Sequence, residues 1–220
     1  MLFKFEEVTK IYPPFFKALI NINFTVKKGD FIILTGPTGA GKTTLLKLLY
    51  REEEPTSGEI YWEEVPYSEL KYDQIIKLRQ KMGIVFQDHK LFPELTVYEN
   101  IKIGLVISQR KVEDPKYLIY EYLERFDLSH KAQKKVKELS GGEQQKVGVI
   151  RALIKEPEIL IADEPTGNLD PQSILEILKI FQNLNNKGTT IILATHDPTI
   201  LNKKIGKIVK LSRGEIVKND

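Results

Sequence analysis

The stretch Leu34-Thr35-Gly36-Pro37-Thr38-Gly39-Ala40-Gly41-Lys42-Thr43-Thr44 constrains this chain more than any other. It follows the apolar, β-branched run Phe31-Ile32-Ile33-Leu34 and precedes Leu45-Leu46-Lys47-Leu48-Leu49, which reads as a helix. A GxxxxGK[ST] pattern carries meaning only in that strand, loop, helix setting. Glycines at 36, 39 and 41 let the backbone turn tightly and aim bare N–H groups inward at an anion. The positive end of the following helix adds to that field. Lys42 can then reach the β- and γ-phosphates of a nucleotide, and the Thr43 hydroxyl can ligate Mg²⁺. For this stretch alone the alternative is a glycine-rich turn with no ligand.

The segments around it form a recognisable order. Leu2–Val8 and Ala18–Val26 read as strands, with Tyr12 on the connection between them beside Pro13-Pro14. Lys28-Gly29-Asp30 turns into the strand before the loop. Glu54-Pro55-Thr56-Ser57-Gly58 breaks the pattern after the first helix, and Glu59–Trp62 resumes as a short strand. Ser68–Gln80 reads as a helix, and Gly83–Phe86 as a strand running into Gln87. From Asp88 to about Pro157 the pattern is mainly helical. Thr96-Val97-Tyr98-Glu99 and Ser140-Gly141-Gly142-Glu143 both fit a capping box, and Asp114-Pro115 fits a helix start. Strand and helix then alternate through Ile159–Ala162, a helix from Asp170-Pro171 to Gly188, Thr190–Ala194 and a helix from Asp197-Pro198. Two strands close the sequence, Ile208–Leu211 and Glu215–Val217. This order predicts an α/β fold with a mostly parallel sheet covered on both faces and antiparallel first strands. One domain is expected, with a core of about 1–87 and 158–220 and an inserted helical subdomain of about 88–157.

Composition narrows the function classes. A net charge of +3 and no basic stripe interleaved with aromatics give no reason to expect a nucleic-acid partner. The run Lys131 to Lys137 reads as a solvated face. With no cysteine, disulfides and thiolate metal sites are impossible. The charged start Met1-Leu2-Phe3-Lys4-Phe5-Glu6-Glu7 is unlike a secretory signal, and no apolar run approaches a membrane span. A cytoplasmic location is the expectation, with any membrane association made only through a partner.

Two further stretches carry chemistry. Asp163-Glu164 end an apolar strand, where Asp163 can enter a Mg²⁺ shell and Glu164, one residue on, can polarise an attacking water. Leu139-Ser140-Gly141-Gly142-Glu143-Gln144 is more discriminating. A capping box accounts for Ser140 and Glu143 but does not ask for two adjacent glycines, which leave bare N–H groups at a second helix start. This stretch resembles the LSGGQ-type signature of the ABC ATPase family, in the form where Glu143 stands before Gln144. Other positions then match the same family: Gln87 its Q-loop glutamine, Gly167-Asn168-Leu169-Asp170 its D-loop, His196 its switch histidine and Tyr12 the aromatic that stacks on adenine.

The resemblance, covering nearly the whole chain, implies a P-loop ABC ATPase fold with ATP and Mg²⁺ as cofactors. It implies nucleotide contacts from Tyr12, from Gly36, Pro37, Thr38, Gly39, Ala40, Gly41, Lys42, Thr43 and Thr44, and from Ser140, Gly141, Gly142 and Glu143. Thr43, Gln87 and Asp163 would surround the metal, and Glu164, His196 and Gln87 would act in hydrolysis. It further implies a homodimer formed on ATP binding, in which Ser140 and Gly142 of one copy grip the γ-phosphate held by the other.

A narrower resemblance, carried by Met82 to Leu91, Thr96 to Asn100, Leu46 to Tyr50 and Leu139 to Val147, is to the cell-division branch of the family. There the partner is the integral membrane protein FtsX, and the ATPase sits on the inner face of the membrane. Lipoprotein-releasing and macrolide-exporting ATPases are close alternatives. A soluble relative acting on DNA or ribosomes would be expected to carry long coiled coils or two ATPase units. A P-loop kinase is disfavoured by the LSGGEQ stretch, and a GTPase by the absence of an Asn-Lys-x-Asp motif.

Overall fold

The structure, a computed structural model, describes residues 1–167, 169–203 and 205–219, with Asn219 described by its backbone alone. Asn168 of the expected D-loop lies outside the described residues. The strands form two sheets. In the first, β1 (Phe3–Tyr12), β2 (Phe16–Val26), β4 (Ser57–Trp62) and β5 (Val65–Pro66) lie in the order β2-β1-β4-β5, all antiparallel. The second holds β3 (Phe31–Thr35), β6 (Met82–Val85), β7 (Ile159–Asp163), β8 (Thr190–Ala194), β9 (Lys207–Ser212) and β10 (Glu215–Asn219) in the order β10-β9-β3-β8-β7-β6. Its neighbours are parallel except for the closing β9–β10 hairpin.

The second sheet is buried on both faces, and the two-residue period of its strands sorts side chains between two cores. Ile32 and Leu34 of β3, Ile159 and Ile161 of β7, and Ile192 and Ala194 of β8 pack towards the first sheet and α1 (Lys42–Leu49). Ile33, Leu160, Ala162, Ile191 and Leu193 point the other way. They meet side chains of α3 (Val97–Ser108), α4 (Pro115–Arg125), α5 (Gly141–Leu153) and α6 (Pro171–Asn186). An apolar run without alternation at β3, β7 and β8 is the sequence mark of this double burial.

The helix starts follow the chemistry of their caps. Thr96 accepts from the Glu99 N–H at 3.1 Å while Glu99 Oε2 accepts from the Thr96 N–H at 2.7 Å. Asp114 caps α4 ahead of Pro115, and Asp170 caps α6 ahead of Pro171. Asp197 caps the short α7 (Pro198–Leu201).

Two expectations need correction. Ser68–Gln80 is not one helix: a 3₁₀ turn at Tyr67–Glu69 is followed by extended Leu70 and Lys71, and α2 runs Tyr72–Lys81. Tyr67 is buried, with its hydroxyl donating to Leu49 O at 2.7 Å, and this tether holds the first turn apart from the helix. Tyr12 is not on a connection. The first two strands run beyond the expected limits, through bulges near Val8 and Lys10, so that Tyr12 ends β1 and pairs with Phe16 across the hairpin.

Candidate nucleotide site

The carboxyl ends of the parallel strands bring the candidate residues to one edge of the sheet, the usual ligand edge of an open α/β sheet. Register places them: Leu34 lies opposite Ala194, and Ala194 opposite Asp163. The chain leaving β3 forms the loop, that leaving β7 carries Asp163 and Glu164, that leaving β8 carries His196, and that leaving β6 carries Gln87. Thr38 to Thr44, Gln87, Asp163, Glu164 and His196 line one cavity.

The loop is built against its neighbours. Gly36 has φ 145°, and a Cβ there would lie 2.2 Å from the Leu211 carbonyl oxygen; Gly41 has φ 104°, and a Cβ would lie 2.5 Å from that of Ala18. Backbone contacts this close admit only glycine. Gly41 also precedes the first residue of α1, whose N-terminus opens into the loop. Lys42 is buried, and its ammonium donates to Gly36 O at 2.8 Å and Pro37 O at 3.3 Å, inside the loop's mouth.

Asp163 ends β7 in a desolvated position. Burial, above all, pushes its carboxyl up from the ordinary aspartate range, and the nearby Glu164 charge adds to this. The Thr43 hydroxyl beside the carboxyl opposes the shift, and Oδ1 is buried without a hydrogen-bond partner. A carboxylate with an idle oxygen next to a hydroxyl, with Gln87 lining the same cavity, suits a hard divalent cation. Among the described residues no group of three His, Cys, Asp or Glu could hold a metal. A cation here would draw its remaining ligands from phosphate and water.

Glu164 follows in the left-handed region, φ 45°, with its N–H bound to Ala194 O at 2.9 Å. That conformation is costly for a side chain with a Cβ and is found where geometry at a site requires it. Here it sets Glu164 Oε1 2.6 Å from His196 Nδ1, a bond in which the ring N–H donates to the carboxylate. Glu164 is largely covered while His196 is exposed.

Ser140, Gly141, Gly142 and Glu143 do not join this cavity. They line another, with Lys146, Leu169 and Asp170. The capping box is formed: Glu143 N–H donates to Ser140 Oγ at 3.3 Å, and Ser140 N–H to Glu143 Oε2 at 2.9 Å. Lys131 pairs with Glu143 and, with the Ser140 N–H, holds its carboxyl below the usual range. Lys131 thus departs from the solvated face expected of its run, whereas Lys135 and Lys137 remain exposed and pair with Glu94.

Phe16 and Ala18 also line the loop cavity, and no motif in the sequence singles them out. The available signal is the hairpin: Phe16 is four residues past Tyr12 and directly opposite it, so both side chains share one face. Tyr12 carries the Lys10 ammonium 5.0 Å from its ring centroid and does not line that cavity itself.

Comparison with known proteins supplies the family. The ABC transporter family matches residues 19–167. The chain is 41% identical over 219 residues to the cell division ATP-binding protein FtsE of Bacillus subtilis (strain 168), covering all of this chain and 96% of that protein. It is 38% identical over 215 residues to FtsE of Escherichia coli (strain K12), covering 98% and 97%. Among solved structures, the ATP-binding cassette MJ0796, a dimer in a post-hydrolysis state bound to ADP and Pi, matches with a TM-score of 0.91 at 34% identity, over 100% of this chain and 98% of that one. The chain belongs to the ABC transporter family, as an ATP-hydrolysing cassette of the FtsE type.

Proposed function

We propose that the protein binds Mg²⁺-ATP on the loop of residues 36–44 and hydrolyses it with Glu164 as general base. Mg²⁺, held by Thr43, Asp163 and Gln87, would neutralise charge on the β- and γ-phosphates. Lys42 meets the phosphates from the loop's mouth, and the aromatic end of the β1–β2 hairpin, Tyr12 included, receives the base. His196 holds the Glu164 carboxylate in the orientation that accepts a proton from water. The observation that carries this reading is the pair of carboxylates at the end of β7: one idle and desolvated beside Thr43, the next turned back onto a histidine.

The separate cavity at Ser140–Glu143 supports a two-copy mechanism. A phosphate bound by one copy's loop would meet the Ser140 and Gly142 backbone and hydroxyl of a second copy, giving an isologous dimer with two ATPs in its interface. ATP closes the pair by binding both halves, and hydrolysis removes the bridging charge and reopens it.

The motion serves an integral membrane partner of the FtsX kind at the inner face of the cell membrane, in cell division and the control of cell-wall hydrolases. Relatives named as cell division proteins support that assignment. Attachment through the partner is part of the proposal, and among the described residues no helix is long and apolar enough to cross a membrane. Residues 88–157 would move as the helical subdomain against the core and carry the docking surface at 91–95. There Leu91 packs against the core, Leu95 is half-buried, and Phe92 is 52% exposed, leaving Phe92 as the anchor.

Steady-state turnover tests the chemistry. Glu164→Gln should bind ATP as wild type does yet hydrolyse it about 100-fold more slowly, or worse, the scale of losing a general base. Turnover near wild type would exclude Glu164 as that base.

A further inference from the structure

We propose that Arg151 is a positioning residue for Gln87, acting through the backbone of His89 and Lys90; the proposal rests on the placement of Gln87 at the nucleotide site. Arg151 stands near the C-terminal end of α5, the helix whose first turn carries Ser140 to Glu143. Its guanidinium donates from one nitrogen to Lys90 O at 2.6 Å and from another to His89 O at 2.7 Å. A planar fork on two consecutive carbonyls fixes both the position and the tilt of that segment.

The segment needs such fixing. His89 and Lys90 are consecutive left-handed residues, φ 60° and 47°, neither of them glycine. Isolated left-handed residues of this kind are costly, and two in a row persist only where the surroundings hold them. His89 N–H bonds to Phe86 O at 3.1 Å, so the turn encloses Gln87 and Asp88. The direction in which Gln87 leaves β6 is therefore set by the two residues Arg151 grips. The same helix face approaches at two more points, three residues apart. Gln145, fully buried, lies beside the His89 ring, and Gly148 passes close enough that a Cβ would lie 3.9 Å from His89 O. Gln145, Gly148 and Arg151 form one stripe along α5, and the turn lies in it.

One helix thus serves both cavities: its N-terminus lines that of Ser140, and its Arg151 grips the turn that carries Gln87, which lines that of Lys42. Arg151 touches no reacting atom, and its charge is spent on backbone carbonyls.

The test is a double-mutant cycle on the intact protein, read as kcat and KM for ATP in Arg151→Ala, Arg151→Lys, Gln87→Ala and the combinations. Arg151→Ala should lower kcat by about 10- to 100-fold, the cost of displacing a positioned group by an ångström or so. KM should change by less than about twofold, because loop binding is untouched. Arg151→Lys, which keeps the charge but gives up the fork, should fall between. In the Gln87→Ala background, adding Arg151→Ala should cost nothing further. An equal loss in both backgrounds, or wild-type kcat in Arg151→Ala, overturns the proposal. Wild-type kcat in Gln87→Ala alone overturns the role of Gln87 in turnover and the proposal with it. Should Arg151→Ala fail to fold, Arg151→Lys in the same cycle decides by the same criterion.

Discussion

Replacing Asp163 by Asn should stabilise the nucleotide-free protein and weaken its hold on Mg²⁺-ATP. In the free protein the Asp163 carboxylate is buried, Oδ1 has no partner, and Glu164 adds a like charge beside it. Asn keeps an oxygen for the Thr43 hydroxyl and removes the charge. A buried polar group left without a partner costs about 1–3 kcal/mol, more when it is charged, and the amide that replaces the carboxylate is itself imperfectly paired, so a net gain of about 1–2 kcal/mol is expected. For a chain of this length that raises Tm by about 2–8 °C. The sign with pH follows from the raised carboxyl. The native state holds the proton more tightly than the unfolded chain, so its stability falls as pH rises from the ordinary value of 3.8 through the folded value and is flat above it. The advantage of Asn is full at neutral pH and vanishes in acid. Nucleotide works against this gain: at a hundredfold excess over Kd, Mg²⁺-ATP stabilises wild type by about 2.7 kcal/mol, and the variant gains less. Thermal melts at pH 7 with and without Mg²⁺-ATP measure both effects. An apo variant melting below wild type would show that the carboxylate stabilises the free fold, and would refute the desolvation argument. An equal shift with Mg²⁺-ATP would take Asp163 away from the metal.

Two other substitutions probe the loop and the docking surface. Gly36→Ala puts a Cβ 2.2 Å from the Leu211 carbonyl oxygen, part of β9 that cannot swing aside; calorimetry should show ATP affinity lower by about tenfold or more, and unchanged affinity would mean the loop has room that the geometry denies. Phe92→Glu should leave the ATPase of the isolated subunit intact while abolishing its recovery with membranes containing the partner. Lost ATPase would make Phe92 a folding residue, and undiminished recovery would place the docking surface elsewhere.

What is legible in the sequence is what is local. The glycines at 36, 39 and 41 follow a β-branched strand, and the capping boxes at Thr96 and Ser140 form as their three-residue spacing implies, because each bond joins near neighbours in the chain. Asp163 and Glu164 can be placed because an apolar run ends in two acids at a strand end. What the sequence hides are contacts between distant residues. Pro13-Pro14 reads as a break and so sets Tyr12 on a connection, while the antiparallel pairing with Phe16 carries the strand up to it. The split of Ser68–Gln80 depends on the Tyr67 hydroxyl reaching Leu49, 18 residues away. Arg151 gives no signal at all: its partners are carbonyls 61 and 62 residues earlier, and any residue at positions 89 and 90 offers the same backbone oxygen.

The central claim, that ATP joins two copies of this chain through the loop of one and the Ser140 cavity of the other, is tested most directly by light scattering on Glu164→Gln. With Mg²⁺-ATP, the variant that binds but scarcely hydrolyses should double its mass, and it should stay monomeric with ADP. Adding Ser140→Arg, which sets a bulky side chain in the cavity that receives the partner's phosphate, should return it to monomer while ATP still binds. The same mass in all nucleotide states, or a dimer that survives Ser140→Arg, would contradict the account.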